Sequence, residues 1–233
     1  MPYFFQNNLS QDHFTFSSEE TKHIIKSLRL KIGDFVWITD GKGTLAKATL
    51  THLFKDNCTA EIIERNFYNN SAKKQLHLAV APTKNPDRIE WLVEKTVEIG
   101  VLQISFIICE RSERKNVDMN RLQRVAIAAL KQSQGVWLPE MQILSFSQFI
   151  NESHTAKADK YIAYCDDKEQ SIAMANLKNK QESAIFLIGP EGDFTSQEVL
   201  IAKENGFHPI SLGEKILRTE TAALFVTCCY LGV

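Results

Sequence analysis

The segments LIGPEGDFT (187–195) and LGEKILRTETAAL (212–224) decide the fold of this chain. In each, an apolar stretch typical of a buried strand runs through a glycine-containing loop into the start of a helix. Strands that alternate with helices predict a mainly parallel sheet covered by helices on both faces. Ligands bind beyond the carboxyl ends of the strands in such sheets, so both loops are candidate binding elements.

The first loop combines two glycines with a proline. Gly189 and Gly192 permit a close approach of the backbone to a ligand and a positive φ, whereas Pro190 fixes φ and removes an amide donor. Such a loop suits a flat, hydrogen-bonding group such as adenine. No Gly-Lys-Ser/Thr sequence is present, so a phosphate-binding P-loop is not indicated. The alternative interpretation is a tight strand-to-helix turn.

The second loop carries apolar residues and an arginine in unusual places. Ile216–Leu217 lies outside any periodic element, and a cofactor is one group against which these side chains can be buried. Arg218 precedes Thr219, the expected cap of the last helix, where a positive charge opposes the helix dipole unless a carboxylate or another anion is close. Glu191 or Glu220 can be that partner, and an ordinary surface ion pair is the alternative.

The rest of the chain divides into two predicted domains, residues 1–70 and residues 75–233. In the second domain, the predicted strands are 76–81, 104–109, 161–165, 184–188 and 209–212, and the predicted helices are 86–99, 120–134, 196–205 and 219–231, with a weaker helix between residues 165 and 184. Asn85 is the expected cap of the first helix, Gly100 its end, and Thr195 with Glu198 a capping box.

The first 70 residues are rich in predicted strands and indicate a small β-barrel. The expected strands are 35–39, 44–50 and 58–63, with an Asp-Gly-x-Gly turn at 40–43 between the first two. A short helix is expected over 18–28, capped by Ser17 or Ser18. Residues 66–74 are polar and typical of a linker.

Composition argues against a membrane-spanning, a secreted or a metal-binding protein. The chain has 233 residues, 44% apolar and 24% charged, which is ordinary for a globular protein. No apolar run approaches the length of a membrane span, and the start lacks a secretory signal, so we expect a cytoplasmic protein. The five cysteines have no metal-ligand spacing; we expect them to be reduced core residues, and we predict no metal site.

The charge pattern allows RNA binding without requiring it. A net charge of −1 argues against unspecific coating of nucleic acid. Residues 111–135 carry six basic and two acidic side chains. Such a run is a candidate RNA surface, although it is also typical of a solvated helix face.

Taken together, the two loops resemble the cofactor loops of the SPOUT methyltransferases, and specifically the RsmE family of small-subunit rRNA (uridine-N3)-methyltransferases. The corresponding family stretches are GPEGG-F-S/T and LG-x-R/K-ILR-x-ETA. The second matches almost completely, whereas Asp193 stands where the family usually has a second glycine. The resemblance extends to His23, Leu28-Arg29, Gly33-Asp34, Asp40–Gly43 and Glu98–Val101. The departures are Tyr3 for arginine, Lys131 for glutamate and Gly135 for arginine.

The resemblance implies an N-terminal PUA-like barrel and a SPOUT domain with a C-terminal trefoil knot, acting as a homodimer. It implies S-adenosylmethionine as cofactor and methylation of N3 of a uridine in the decoding region of 16S rRNA, in the assembled 30S subunit. The implied cofactor-binding residues are Leu187, Ile188, Gly189, Pro190, Glu191, Gly192, Leu212, Gly213, Ile216, Leu217, Arg218 and Thr219.

The chemistry of the uracil imide suggests the catalytic residues. Its N3–H is weakly acidic, so a base or a cation that stabilises the resulting anion assists the reaction. We expect Arg218 to orient or stabilise the uracil and Glu220, or Glu191, to accept the proton or position Arg218. The expected RNA-binding residues are Arg29, Lys84, Arg88, Arg111, Arg114, Arg121 and Arg124.

Two other functions remain open at this point. A SPOUT ribose 2′-O-methyltransferase shares the knot and the cofactor but needs a stronger activating group for a less acidic hydroxyl. A ribosome-binding assembly factor with a vestigial pocket binds particles but not S-adenosylmethionine. A nucleotide-dependent oxidoreductase is not indicated, because no G-x-G-x-x-G follows any strand.

Overall fold

The chain folds as two units, which are described in turn. The computed structural model describes residues 2–55, 57–70, 74–164, 171–177 and 182–232. The first unit comprises Met1–Ala72 and Leu130–Leu138, and the second comprises Lys73–Ala129 and Pro139–Val233.

The first unit is built on a mixed five-stranded sheet. Its strands are β1 (Tyr3–Phe5), β2 (His13–Thr15), β3 (Phe35–Thr39), β4 (Thr44–Phe54) and β5 (Asn57–Phe67), and its helix is α1 (Ser18–Lys22), followed by a π-helical turn (His23–Leu28). The strand order is β1-β3-β4-β5-β2, with β1 and β3 parallel and the other neighbours antiparallel. β4 and β5 extend beyond the predicted strands because their hairpin continues through two register shifts, which shortens the predicted linker.

The predicted turn between β3 and β4 is present and shows why its residues are needed. Asp40 accepts hydrogen bonds from the amides of Lys42 (2.8 Å) and Thr44 (3.0 Å). Gly43 has a φ of +95°, and a Cβ there would lie 2.3 Å from the Trp137 ring. Alternate residues of β3 and β4 are buried in the core of this unit, as expected for strands with one covered face.

The second unit contains a seven-stranded sheet in which every pair of neighbours is parallel. Its strands are β6 (Gln75–Val80), β7 (Gln103–Ile108), β8 (Glu140–Ser145), β9 (Asp159–Ala163), β10 (Ile172–Ala173), β11 (Ser183–Ile188) and β12 (His208–Ser211). Its helices are α2 (Pro86–Ile99), α3 (Met119–Ser133, whose end belongs to the first unit), α4 (Phe146–Ser153), α5 (Ser196–Glu204) and α6 (Thr219–Leu231). The order is β10-β12-β9-β11-β6-β7-β8.

Helices cover both faces of this sheet, as predicted. On one face, α4 and α5 pack on alternate residues of the central strands, such as Ala79 and Leu187. On the other face, α6 packs on α2, β6 and β11, and Tyr230 meets Phe186 with ring centroids 5.6 Å apart. The α/β fold with a parallel sheet is therefore confirmed, whereas the trefoil knot stays a prediction.

The path of the chain brings the two signature loops to one edge of the sheet. β11 lies between β6 and β9, and β12 pairs with β9 on the side away from β11. The chain that follows β12 passes back to β11, and α6 packs over β6 and β11. The loops that follow β11 and β12 therefore meet beyond the carboxyl ends of the strands.

The structure bears on two expectations from composition, the burial of the cysteines and the absence of a membrane span. Cys58 and Cys109 are buried, but Cys228 is only half-buried and Cys229 is exposed, so the prediction of a core position is wrong for Cys229; Cys165 lies outside the described residues. Across the described ranges, no helix is long and apolar enough to cross a membrane.

Candidate functional site

Four loops of the second unit lie at the carboxyl edge of the parallel sheet. They follow β6 (81–85), β7 (109–118), β11 (189–195) and β12 (212–218), and we call them the loop cluster. Hydrogen bonds connect the loops after β6, β7 and β11 to one another, and the amide of Ala81 donates to the carbonyl of Ile188, the last residue of β11 (2.9 Å). The sheet thus places the predicted cofactor residues on loops at the same ends of its strands.

One side-chain hydrogen bond joins the two signature segments. The hydroxyl of the buried Thr219 donates to the carbonyl of Gly189 at 2.9 Å. Thr219 is the first residue of α6, and Arg218 is the N-cap, with no side-chain capping bond. The expectation that Thr219 caps α6 is therefore wrong, because its hydroxyl holds the loop after β11 instead.

The loop after β11 takes its unusual backbone at Asp193 rather than at its glycines. Asp193 has a φ of +60°, whereas Gly189 and Gly192 do not have a positive φ. The amide of Asp193 donates to the carbonyl of Pro190 (2.9 Å), and its carboxylate accepts from the amide of Phe194 (2.8 Å). Space at Gly189 is tight, since a Cβ there would lie 3.1 Å from the Phe194 ring and the ring would have to move to admit a larger residue.

Glu191 and Arg114 hold the loop after β6 from two sides. The carboxylate of Glu191 accepts from the Lys84 amide (3.0 Å), and the guanidinium of Arg114 donates twice to the Lys84 carbonyl (3.1 and 2.9 Å). The ammonium group of Lys84 pairs with Glu113 at 2.8 Å, and this hydrogen bond raises the pKa of Lys84. These groups fix one another in the folded chain.

The loop after β7 is tied to the loop after β11 by two side chains. Arg111 donates to the carbonyls of Gly192 (2.9 Å) and Phe194 (3.4 Å). The buried carboxylate of Glu198 accepts from the amides of Glu110 and Thr195, both at 2.9 Å. The sequence predicted that Glu198 forms a capping box with Thr195, and the structure confirms this. No feature of the sequence indicated the hydrogen bond from the amide of Glu110 to Glu198.

Glu220 combines burial with an incomplete set of partners. Its Oε1 lies 3.6 Å from the Nε of Arg88, and its Oε2 is buried without a hydrogen-bond partner among the described residues. Arg218 is exposed, and within the described ranges its side chain pairs with neither Glu191 nor Glu220. The expected ion pair of Arg218 is therefore not found, and Arg88 takes that place beside Glu220.

The loop after β12 presents an apolar side chain to solvent. Ile216 is 87% exposed and Leu217 is half-buried. Gly213 has a φ of +126°, and no other atom lies within 4 Å of the place where its Cβ would be. The loop after β12 therefore offers an exposed apolar side chain and an open stretch of backbone, the two kinds of surface that a ligand with apolar and hydrogen-bonding parts requires.

The predicted RNA-binding residues lie in three places. Lys84, Arg88, Arg111 and Arg114 are at or beside the loop cluster, where each already has a protein partner. On α3, Arg121 pairs with Glu90, whereas Arg124 is exposed with no partner in the described part of the chain. Arg29 belongs to the first unit, where it is exposed and has a φ of +55°.

The described residues contain no group of three or more histidine, cysteine, aspartate or glutamate side chains that is arranged to hold a metal ion.

Comparisons with known proteins give consistent results over both units. A family model for an RNA methyltransferase domain matches residues 70–230, and one for an RNA methyltransferase PUA domain matches residues 16–63. The ribosomal RNA small subunit methyltransferase E of Mesomycoplasma hyopneumoniae is 29% identical, over 96% of each chain.

Two solved structures are similar over almost the whole chain. A probable rRNA-methyltransferase from Porphyromonas gingivalis is 35% identical, with a TM-score of 0.87, and the match covers 97% of this chain and 95% of that one. A ribosomal RNA small subunit methyltransferase E from Neisseria gonorrhoeae, bound to S-adenosyl methionine, is 27% identical, with a TM-score of 0.85 and coverage of 98% and 95%.

Proposed function

Because this chain belongs to the RNA methyltransferase family, we propose that it transfers the methyl group of S-adenosylmethionine to N3 of a uridine in the decoding region of small-subunit rRNA. The observation that carries this proposal is the Thr219–Gly189 hydrogen bond, which joins the two segments that resemble the RsmE cofactor loops. The similar gonococcal protein binds S-adenosyl methionine, which supports the same cofactor here.

The residues of the loop cluster fit this cofactor. Ile216 and Leu217 offer apolar surface for the adenine ring, and the backbone of Leu187–Gly192 and Leu212–Gly213 offers amides and carbonyls for its polar edge. The buried Oε2 of Glu220 has no hydrogen-bond partner among the described residues, which supports a polar ligand group at this position. When bound, S-adenosylmethionine supplies an electrophilic methyl group on a sulfonium centre.

Glu220 is the better candidate for the base. Glu191 is exposed and its carboxylate already accepts from the Lys84 amide, so its role is to hold a loop. The buried Oε2 of Glu220 accepts no hydrogen bond from the residues that the structure describes, and in this proposal it accepts the N3 proton. Arg88, at 3.6 Å from Oε1, keeps the carboxylate in place.

Arg218 is the group that stabilises the uracil anion in this proposal. When N3 loses its proton to Glu220, negative charge spreads onto the two carbonyl oxygens of the ring. The exposed guanidinium of Arg218, two residues before Glu220 at the start of α6, can donate to such an oxygen. The N-terminus of α6 also favours the uracil anion, because the helix dipole places partial positive charge there.

We also propose how the rest of the chain serves this reaction. Residues 1–70 form an RNA-binding PUA-like domain and residues 75–233 a knotted SPOUT domain, with Arg29 on the first and Arg124 on the second contacting rRNA. The assembled 30S subunit in the cytoplasm is the proposed substrate, since a net charge of −1 favours recognition of a folded particle over unspecific RNA binding.

A homodimer is proposed from an exposed stripe on α6. Thr221, Phe225 and Cys229 are exposed at a spacing of four residues, so they lie on one side of the helix. Trp91 is exposed on α2, which packs beside α6. Apolar side chains that stay accessible on two packed helices are typical of an interaction surface, and a second copy is the partner that the family resemblance implies.

Methyl transfer to small ribosomal subunits from cells that lack this protein tests the proposed function. With labelled S-adenosylmethionine and nucleoside mass spectrometry, we expect 3-methyluridine. Methyl on a ribose would favour the 2′-O-methyltransferase instead. Absence of both transfer and cofactor binding would leave the assembly factor.

Two variants test the assigned residues within the same assay. Glu220→Gln removes the proton acceptor but keeps the shape, and Arg218→Ala removes the cation. We expect each to lower kcat by about 100-fold or more, the usual contribution of a general base or a charge-stabilising donor. Glu204→Gln, on α5, is the matched control and should keep wild-type activity. Wild-type rates for both site variants would remove these residues from the mechanism.

A further inference from the structure

A cavity that the proposed reaction does not use lies beside the loop cluster. It has a volume of about 140 Å³ and opens between the start of α2 and the segment that leads into α3. Its apolar walls are Pro86, Ile89, Val117 and Leu122. Opposed apolar walls favour a flat ring over a flexible or fully hydrated group.

The cavity lies on the side of α2 opposite to the proposed base. Pro86 and Glu90 line the cavity, whereas Arg88 points to Glu220. Positions 86 and 90 are separated from position 88 by about half a helical turn, so the first turn of α2 separates the two places. With its side chains a helix is about 10 Å across, a span that two successive nucleotides of an extended RNA strand can bridge.

The cavity is also connected to the site by a side chain. Arg114 lines the cavity and donates to the carbonyl of Lys84 in the loop cluster. A ligand in the cavity therefore contacts the same arginine that positions the loop after β6.

The polar groups at the rim favour a neutral ligand with N–H donors. Asp87, Glu90 and Asp118 outnumber the two guanidinium groups of Arg114 and Arg121, so the rim favours a neutral group over a free phosphate inside the cavity. Glu90 pairs with Arg121, and Asp118 accepts from the Arg121 amide.

One carboxylate at the rim remains available. Asp87 is exposed, and in the part of the chain that the structure describes its carboxylate forms no hydrogen bond or ion pair; its charge interacts with the nearby Arg121. A carboxylate accepts hydrogen bonds from the exocyclic amino group of a base. Unstacked RNA bases are commonly bound in this way, between apolar or planar side chains and with hydrogen bonds to their edges.

We propose that this cavity binds an unstacked, amino-bearing base of the substrate RNA, next to the uridine that is methylated, with Asp87 accepting from its amino group. The proposal rests on the proposed function, because it assumes that RNA approaches the loop cluster. It assigns Asp87 and Val117 to substrate recognition and gives Arg114 a second contact besides Lys84.

A binding experiment on the whole chain tests the cavity without methyl transfer. Methyl-labelled protein is titrated with cytidine and with uridine, which differ in the presence of the amino group, while the NMR signals of Ile89, Val117 and Leu122 are followed. We expect cytidine to shift these signals and to bind about tenfold more tightly than uridine, the discrimination expected of one good hydrogen-bonded contact to a base edge. Absence of shifts, or equal affinities, would overturn the proposal.

Three variants sharpen the result. Asp87→Asn keeps the shape of the rim and should abolish the preference for cytidine, whereas Val117→Trp fills the cavity and should abolish the shifts. Glu152→Gln, an exposed carboxylate on α4 at the other face of the sheet, should leave both unchanged. Retention of the preference in Asp87→Asn would contradict the role of Asp87 even if Val117→Trp failed to fold.

An activity measurement connects the cavity to the reaction. With small ribosomal subunits as substrate, Val117→Trp and Asp87→Asn should raise KM for the subunits by about tenfold or more, while the affinity for S-adenosylmethionine, measured by calorimetry, stays that of the wild type. If wild-type protein transfers no methyl group, the proposed function fails and the cytidine titration still decides whether the cavity binds a base. Unchanged KM values in an active enzyme would overturn the proposal.

Discussion

At the scale of single residues, Asp193 explains how the chain departs from the family pattern without losing the loop. Its φ of +60° lies in the left-handed region, which glycine occupies most readily and aspartate more readily than most other residues. Its carboxylate accepts from the next amide, that of Phe194. Aspartate therefore holds, with this local hydrogen bond, a backbone conformation that glycine adopts readily.

Replacing Asp193 tests this explanation. Asp193→Ala keeps a Cβ at positive φ but loses the local hydrogen bond, so we expect the free energy of unfolding to fall by about 1 kcal/mol. Asp193→Gly should change it much less, because the gain in backbone freedom offsets the lost bond. Urea unfolding of the three proteins gives these values, and equal values for the alanine and glycine variants would contradict the backbone argument.

His77 is a buried group whose protonation is coupled to folding. Its Nε2 lies 2.8 Å from the hydroxyl of Ser105, which also accepts from Gln142 (3.1 Å), and its ring packs against Phe149. Burial lowers the pKa of His77 to about 4, from an ordinary value of 6.5. The imidazole therefore stays neutral in the folded protein where it is charged in the unfolded chain.

The sign of the pH dependence follows from this pKa. Between pH 6.5 and about 4 the unfolded chain binds a proton that the folded protein does not, so stability falls as the pH is lowered through this range. The contribution reaches about 3 kcal/mol at the low end. We expect His77→Gln to lose this part of the pH dependence in urea unfolding at pH 7 and pH 5. His52→Gln, at an exposed position of β4, should retain it; equal slopes in all three proteins would contradict the assignment.

At the scale of elements, helix caps and apolar strands were predictable, whereas β8 and α4 were missed. Asn85 and Gly100 bound α2, and Thr195 with Glu198 opens α5, as predicted. Ser145 and Gln148 form a second capping box that marks the start of α4, a signal that the sequence does contain. β8 is an edge strand whose residues are all exposed or half-buried, so its sequence lacks the apolar run of the central strands.

The candidate site was predictable as a set of segments but not as a network. Motif resemblance identified the loops at 187–195 and 212–219. It did not show that Arg111 binds the carbonyls of Gly192 and Phe194, or that Arg88 rather than Arg218 faces Glu220. Such contacts depend on which loops the sheet order brings together, and a one-dimensional charge pattern carries no information about that order.

The junction of α6 with the loop after β11 provides a prediction at this scale. Thr219→Val keeps the shape but removes the hydrogen bond to Gly189. We expect the Kd for S-adenosylmethionine, measured by calorimetry, to rise about fivefold, the equivalent of one hydrogen bond of about 1 kcal/mol.

Thr227→Val is the control for this variant. The hydroxyl of Thr227 donates only to the Ala223 carbonyl in the same helix, so cofactor affinity should be unchanged. A similar loss of affinity in both variants would show that general weakening of α6, rather than the link to Gly189, governs binding.

At the scale of the whole molecule, the exposed stripe on α6 predicts the oligomeric state. Phe225 is 39% exposed and Trp91 is 41% exposed. If a second copy covers them, Phe225→Asp should convert the dimer to a monomer, because a charge in an apolar interface lacks a partner.

Size-exclusion chromatography with light scattering measures the molar mass of each variant, and circular dichroism shows whether the variant is folded. Leu200→Asp, at a similarly exposed apolar position on α5, is the matched control and should stay a dimer. A monomeric wild type, or a dimeric Phe225→Asp variant, would exclude this surface as the interface.

The position of β11 has a consequence for how the protein is made. This strand lies at the centre of the sheet, between β6 and β9, yet it is translated after both of them. A nascent chain that ends before Ser183 therefore presents unpaired edges on β6 and β9, which are liable to pair with other chains. Completion of the sheet must wait until the last quarter of the polypeptide leaves the ribosome, so a chain that stalls before that point is a natural client for chaperones.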